Sequence, residues 1–134
     1  MNDSEDLVSG REYQEYLELK RMLKALGDVH RLDMLHVLAG AAEMTVTDLA
    51  ETLINKGRYI SQPLVSWHLN MLRRAGLVQT RRTGRQVYCS LNRTKFQRCQ
   101  RMLSEIVAAP VSAPAPLSEA TAPKLPATPQ SQTS

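Results

Sequence analysis

The sequence predicts a small, mainly helical domain that carries a basic β-hairpin near its C-terminal end, and three observations predict it. The first is a well-bounded helix over residues 61–76. Ser61 is a good N-cap, because its side-chain oxygen can take a free N–H of the first turn. Pro63 fits that turn, where a missing N–H costs little. Val65, Leu69 and Leu72 recur at i, i+4 and i+7 as one core-facing stripe, and Gly76 is placed to end the helix in a left-handed turn. The second observation is the pair of runs that follows. Leu77–Arg82 and Arg85–Leu91 read as strands joined at Thr83-Gly84, with glycine supplying a positive φ. The third is charge segregation. Residues 1–51 hold eleven acids and five bases, whereas residues 52–104 hold eleven bases and no acid. A helix that can enter a major groove, followed by a basic hairpin on a strongly cationic half, is the pattern of a winged helix-turn-helix.

The remaining elements follow in order. Residues 1–9 are polar and are expected to fray. Arg11–Leu26 reads as a helix whose apolar side, with Tyr13, Tyr16, Leu17, Leu19, Leu23 and Leu26, is wider than one stripe. Such width on a terminal helix points to burial against a second chain. Gly27 breaks this helix and Asp28 caps the next, Val29–Ala39, with Leu32, Leu35 and Leu38 facing the core. A turn from Gly40 leads to a short strand at Met44-Thr45. Thr45 or Thr47 then caps a third helix, about Val46–Ile54, with Leu49 and Leu53 inward. After the hairpin, Asn92 or Thr94 caps a last helix to about Val107, on which Phe96, Cys99, Leu103 and Ile106 approximate one stripe. The expected order is helix, helix, short strand, helix, recognition helix, two wing strands, helix. Residues 10–107 form the domain. Residues 108–134 hold six of the seven prolines, seven alanines and no aromatic residue, a composition too poor in buriable surface to order itself.

The ordered motifs resemble the arsenic-repressor (ArsR/SmtB) family of winged-helix regulators. They are Leu23-Lys-Ala-Leu-Gly-Asp-Val-His-Arg-Leu-Asp-Met-Leu, Thr47-Asp-Leu-Ala, Ser61-Gln-Pro-Leu-Val-Ser-Trp-His-Leu, Leu72-Arg-Arg-Ala-Gly-Leu-Val and Arg82-Thr-Gly-Arg-Gln-Val-Tyr. They span roughly residues 20–91. The resemblance implies a homodimeric transcriptional repressor that leaves its operator when an effector arrives. It also implies that the first and last helices form the dimer interface, through Tyr13, Tyr16, Leu17, Phe96, Cys99, Leu103 and Ile106. The segment Asn55-Lys-Gly-Arg-Tyr-Ile60 is longer than the turn at this place in the family. It reads either as a source of extra phosphate contacts from Lys56 and Arg58 or as a tolerated surface loop.

The DNA-reading candidates lie on the recognition helix and the wing. Gln62 can pair bidentately with adenine, Ser66 can donate or accept, and Pro63, Leu64 and Trp67 can touch a thymine methyl. Ser61 and Asn70 share the outward faces, and Arg73 and Arg74 either meet phosphates or complement the helix dipole. Trp67 reads equally as an exposed contact or as a ring folded back on the domain edge, and His68 as a hydrogen-bonded packing residue. Arg81, Arg82 and Arg85 surround the wing tip, where a basic hairpin can follow the minor groove. The expected partner is double-stranded DNA bearing an imperfect palindrome, read by a homodimer.

Metal and redox chemistry receive less support. Soft-metal sensors of the resembling family carry cysteines in the third helix, where this chain has Thr45 and Thr47, and hydroxyls do not replace thiolates. The family's other site uses Asp and His on the last helix, which here has Glu105 as its only acid. His30, Asp33 and His36 are spaced i, i+3, i+6, a poorer chelating arrangement than i, i+4. No metal or cofactor is expected. Cys89 and Cys99 read as buried small residues or as redox groups, with Arg98 and Arg101 placed to favour a Cys99 thiolate.

No phosphate loop, hydrolase motif or activated nucleophile points to an enzyme. No run is long and apolar enough for a membrane span, the acidic N-terminus is unlike a leader peptide, and two cysteines make no disulfide framework, so the expected compartment is the cytoplasm. The sequence thus points to a sequence-specific dimeric repressor, with a small-molecule effector, a thiol oxidant or no effector at all. The rival reading is a winged-helix protein-interaction module that binds DNA only weakly.

Overall fold

The computed structural model describes residues 2–108 and 110–111, with side chains from Gly10 onward. Its elements run α1 (Asn2–Leu26), α2 (Val29–Ala39), β1 (Met44–Thr45), α3 (Val46–Asn55), α4 (Gln62–Arg74), β2 (Val78–Thr83), β3 (Gln86–Leu91) and α5 (Arg93–Ala108). This is a winged helix-turn-helix, in the order the sequence predicts. Met1–Leu103 make one compact unit, and Ser104–Ser134 a second. The described part of the second is the end of α5 and residues 110–111, so most of the proline-rich tail lies outside the described residues.

Local signals set most boundaries. The Asp28 side chain accepts from Arg31 N and caps α2, and Thr45 Oγ1 accepts from Asp48 N and caps α3. Ser61 Oγ accepts from Leu64 N at 3.3 Å, with Pro63 in the first turn of α4. Asn92 Oδ1 accepts from Lys95 N at 3.2 Å, which selects Asn92 over Thr94 as the cap of α5. At the end of α4 the amide of Leu77 reaches Leu72 O and that of Gly76 reaches Arg73 O, a Schellman closure around Gly76 at φ 81°. α3 ends in the same way. Arg58 N bonds Leu53 O and Gly57 N bonds Ile54 O, with Gly57 at φ 84°. This second closure takes up the extra residues of the 55–60 segment, which then returns inward at buried Ile60.

The core gathers Met22 from α1, Met34 and Leu38 from α2, Leu49 and Leu53 from α3, and Val65 and Leu72 from α4, all fully buried. Val78 and Cys89 close it from the sheet, with Leu77 just before β2. The sheet is antiparallel in the order β1-β3-β2, with Met44 opposite Cys89 and Thr83 opposite Gln86. Glu18 ties α1 to α5 through Lys95 and Arg98, each at 2.8 Å, and these cations hold its carboxyl down at about 2.

Three expectations are corrected. α1 begins at Asn2, not Arg11, and takes in most of the stretch set aside as a frayed terminus. Leu32 is about half exposed, because α2 turns Met34, Leu35 and Leu38 inward instead. The wing turn is Gly84-Arg85, one residue later than Thr83-Gly84, since Thr83 still pairs with Gln86.

Candidate nucleic-acid interface

α4 and the wing enclose a concave face of about 390 Å³. From α4 come Gln62, Ser66, Asn70 and Arg73; from the hairpin come Thr80, Arg82, Arg85 and Gln86. Val46, Leu69 and Val87 form its apolar base, and Thr47 adds a hydroxyl from α3. No acid lines it among the described residues. The side chains here are already partly oriented. Gln62 Nε2 donates to Thr47 Oγ1 at 3.4 Å, and Arg73 Nη2 donates to Asn70 Oδ1 at 2.6 Å. Pro63 and Leu64 are exposed at the outward tip of the first turn of α4, beside the capping Ser61.

Strand alternation divides the wing cations. Thr80 and Arg82 face the concavity, so Arg81 points to the other face. There it is held by Glu43, with Nη2 at 2.8 Å and Nε at 3.1 Å from the two carboxylate oxygens, and its guanidinium lies 4.6 Å from the Tyr88 ring centroid. The Arg81 pairing lowers the Glu43 pKa and raises its own. Arg81 is therefore paired on the outer face of the wing and does not line the concavity.

Lys56 and Arg58 are paired in a similar way. Lys56 Nζ lies 2.7 Å from Asp33 Oδ1 and Arg58 Nε 2.6 Å from Asp33 Oδ2. One carboxylate on α2 thus pins the α3–α4 loop and cancels one of its two charges. The hydrogen bonds from Arg58 and then Lys56 depress the Asp33 pKa. With Asp33 so engaged, the His30, Asp33 and His36 series has no carboxylate to spare for a cation.

Trp67 and Arg74 also lie off the concave face. They flank a different recess, against α1, on another side of α4. Trp67 keeps 53% of its surface exposed while its ring meets the edge of His68 at 5.0 Å. His68 is buried and packs as the sequence suggests. Arg31 Nη1 donates to its Nδ1 at 3.1 Å, which places the neutral ring's proton on Nε2. Burial lowers the His68 pKa, so the 3.6 Å approach of Asp28 is a contact with a neutral ring. Arg31 also donates from Nε to Ala25 O at 2.6 Å, joining the end of α1 to α4. Sequence reading passed over Arg31 and Glu43. Arg31 had a signal, three residues after the capping Asp28; Glu43 lies 38 residues from its partner and had none.

The family's metal positions do not fit. Thr45 is spent as a helix cap and Thr47 accepts from Gln62. The thiols are not activated either. Burial pushes Cys89 up to about 11, and its Sγ donates to Met44 O at 3.3 Å. Burial also raises Cys99, overriding the neighbouring cations that the sequence offered as activators, and Arg98 is engaged by Glu18.

Known proteins carry the same pattern. The helix-turn-helix domain family matches residues 26–81. The transcriptional repressor SdpR of Bacillus subtilis is 37% identical over 79 residues, covering 59% of this chain and 81% of that protein. The chain belongs to the arsenic-repressor (ArsR/SmtB) family of winged helix-turn-helix regulators. The arsenic resistance transcriptional regulator ArsR1 of Pseudomonas putida, 34% identical over 98 residues and 73% of each chain, is another relative. Among solved structures, an ArsR-like transcriptional regulator from Rhodococcus sp. RHA1 superposes with a TM-score of 0.59 at 28% identity, over 69% of this chain and 82% of that one. As a member of this family the chain is a DNA-binding transcriptional regulator and not an enzyme. Among the described residues no helix is long and apolar enough to cross a membrane.

Proposed function

We propose that the chain is a homodimeric repressor that reads an imperfect palindrome and leaves it when an effector binds. The observation that carries the reading is the acid-free concave face between α4 and the wing. Gln62, Ser66 and Asn70 address base edges, with Pro63 and Leu64 against a thymine methyl. Arg73, Arg82 and Arg85 meet phosphates. Lys56, Arg58 and Arg81 hold the frame. Two such faces, about 34 Å apart, serve two half-sites.

Support for the dimer comes from apolar surface left uncovered on one chain. Tyr13 (62%), Tyr16 and Leu23 on α1 and Leu103 on α5 are exposed. Leu17 and Phe96 are half-buried and Cys99 is buried in the chain itself, so Cys99 contributes to packing and not to the contact. Ile106, in the second unit, is exposed too. A second copy pairing through α1 and α5 covers such surface. The site of action is the cytoplasm, where its DNA lies. Effector release runs neither through the family's thiolate position nor through Cys89 or Cys99, since hydroxyls replace the former and burial suppresses the latter.

Selection of random duplex DNA on the purified protein, with reductant and EDTA present, tests this. Enrichment of a palindrome bound by two chains is the expected result. A folded protein that enriches no sequence refutes operator reading and favours a protein partner for the winged helix.

A further inference from the structure

A second recess, of about 280 Å³, lies between α1 and the side of α4 turned away from the wing. Its floor is apolar, made by Ala25, Met71 and Ala75, with the Trp67 indole as a wall. Arg21, Lys24, Arg31 and Arg74 stand around it, and no acid among the described residues lines it. Among the described residues Arg21, Lys24 and Arg74 have no carboxylate partner, in contrast to Arg58, Arg81, Lys95 and Arg98. Four cations gathered on an apolar recess repel one another unless an anion joins them. The volume falls just below the range of about 300–1,000 Å³ typical of drug-sized ligands. It suits one or two fused rings, and the exposed indole offers a flat apolar surface for them.

We propose that this recess binds a small aromatic carboxylate and is the effector site of the regulator. The proposal rests on the reading of the chain as an effector-released DNA-binding protein, and it adds the place and the ligand class. Arg31 supplies the coupling. Its guanidinium lies 5.9 Å from the Trp67 ring centroid, at the wall of the recess. The same group holds Ala25 O of α1 at 2.6 Å and His68 of α4 at 3.1 Å. A carboxylate seated on the rings' edge competes with the neutral His68 nitrogen for this guanidinium and wins, because its negative charge and two acceptor oxygens match the cationic fork better than one neutral ring nitrogen does. Drawing Arg31 toward the ligand frees His68 and loosens the seating of α4 on α1. The opposite face of α4 is the one proposed to read DNA, so the ligand acts on recognition without touching it.

The test uses the full chain, with 2-naphthoate as probe and 2-naphthamide as its neutral counterpart. Trp67 is the chain's only tryptophan, so its fluorescence reports this recess directly. Calorimetry and Trp67 emission should show one naphthoate per chain, bound at least about tenfold more tightly than the amide. Arg21→Gln with Arg74→Gln, both at exposed positions, should weaken the acid about tenfold and leave the amide unchanged. Arg31→Gln should weaken it further and uncouple it from DNA; the surface pair keeps the test decisive if that variant does not fold. Equal binding of acid and amide, or no binding up to about 10 mM, overturns the proposal. So does a duplex that alters Trp67 emission while naphthoate does not, which would give the cations to phosphates. With a selected operator in hand, saturating naphthoate should lower operator affinity; unchanged affinity at saturation overturns the effector role. If naphthoate binds as described but no operator can be selected, the ligand site stands and the DNA-reading proposal falls instead.

Discussion

Arg81→Gln and the double change Arg82→Gln/Arg85→Gln should have unequal effects on the salt dependence of DNA binding, although all three arginines sit within five residues. Arg82 and Arg85 line the concave face, and Arg81 is committed to Glu43 on the other face of the wing. Each phosphate neutralised contributes about 0.9 to the slope of log affinity against log salt. Losing two such contacts should flatten the slope by about 1.8. Between about 50 and 200 mM salt, each contact is worth about 3.5-fold, so the advantage of the unmodified protein over the double variant should shrink about twelvefold across that range. Arg81→Gln should change the slope by less than about half a contact. Fluorescence anisotropy of a labelled operator over a salt series measures all of this. If Arg81→Gln flattens the slope as much as Arg82→Gln alone, the Glu43 pairing does not withhold Arg81 from DNA and the division of the wing is wrong. An unaltered slope in the double variant removes the wing from the contact set.

Asp33→Ala should release Lys56 and Arg58 toward solvent and steepen the same slope by about one to two, with a stability change under about 1 kcal/mol for so exposed a cluster; a slope that stays put means the loop cations do not reach phosphates even when freed. Glu18→Gln should lower stability at neutral pH by about 1 kcal/mol, after allowing for solvent around the partly exposed Lys95 and Arg98. Because the folded pKa is depressed, from an ordinary 4.5 to about 2, this contribution is complete above about 4.5 and disappears as pH falls toward about 2. Denaturation midpoints of the two proteins should therefore converge across that window, and a constant gap would deny the ion pair its role. Alkylation followed by mass spectrometry should leave Cys89 and Cys99 unmodified in the folded protein at pH 8, and mild peroxide should not alter operator affinity; rapid labelling of either thiol in the folded state would restore the redox reading.

Helix ends were legible in the sequence because the interactions that make them are local. Asp28, Thr45 and Ser61 each cap a helix by accepting from an amide three residues on, and Gly76 closes α4 within its own last turn. The core stripe of α4 followed from its period alone, and the cationic half of the chain followed from counting. The α3–α4 loop was legible only as an anomaly, since Gly57 closes a helix that the sequence ends no more clearly than the turn after it. The division of labour among the cations was decided by tertiary structure. Arg81 meets Glu43 across 38 residues, Arg58 meets Asp33 across 25, and Arg31 meets His68 across 37. An arginine looks the same in sequence whether it is neutralised or free, because the partner that decides its charge is chosen by the packing of distant elements. Trp67 illustrates the same limit: the period of α4 put it off the core stripe, and only the placement of α1 and Arg31 determined that its ring walls a second recess and not the concave face.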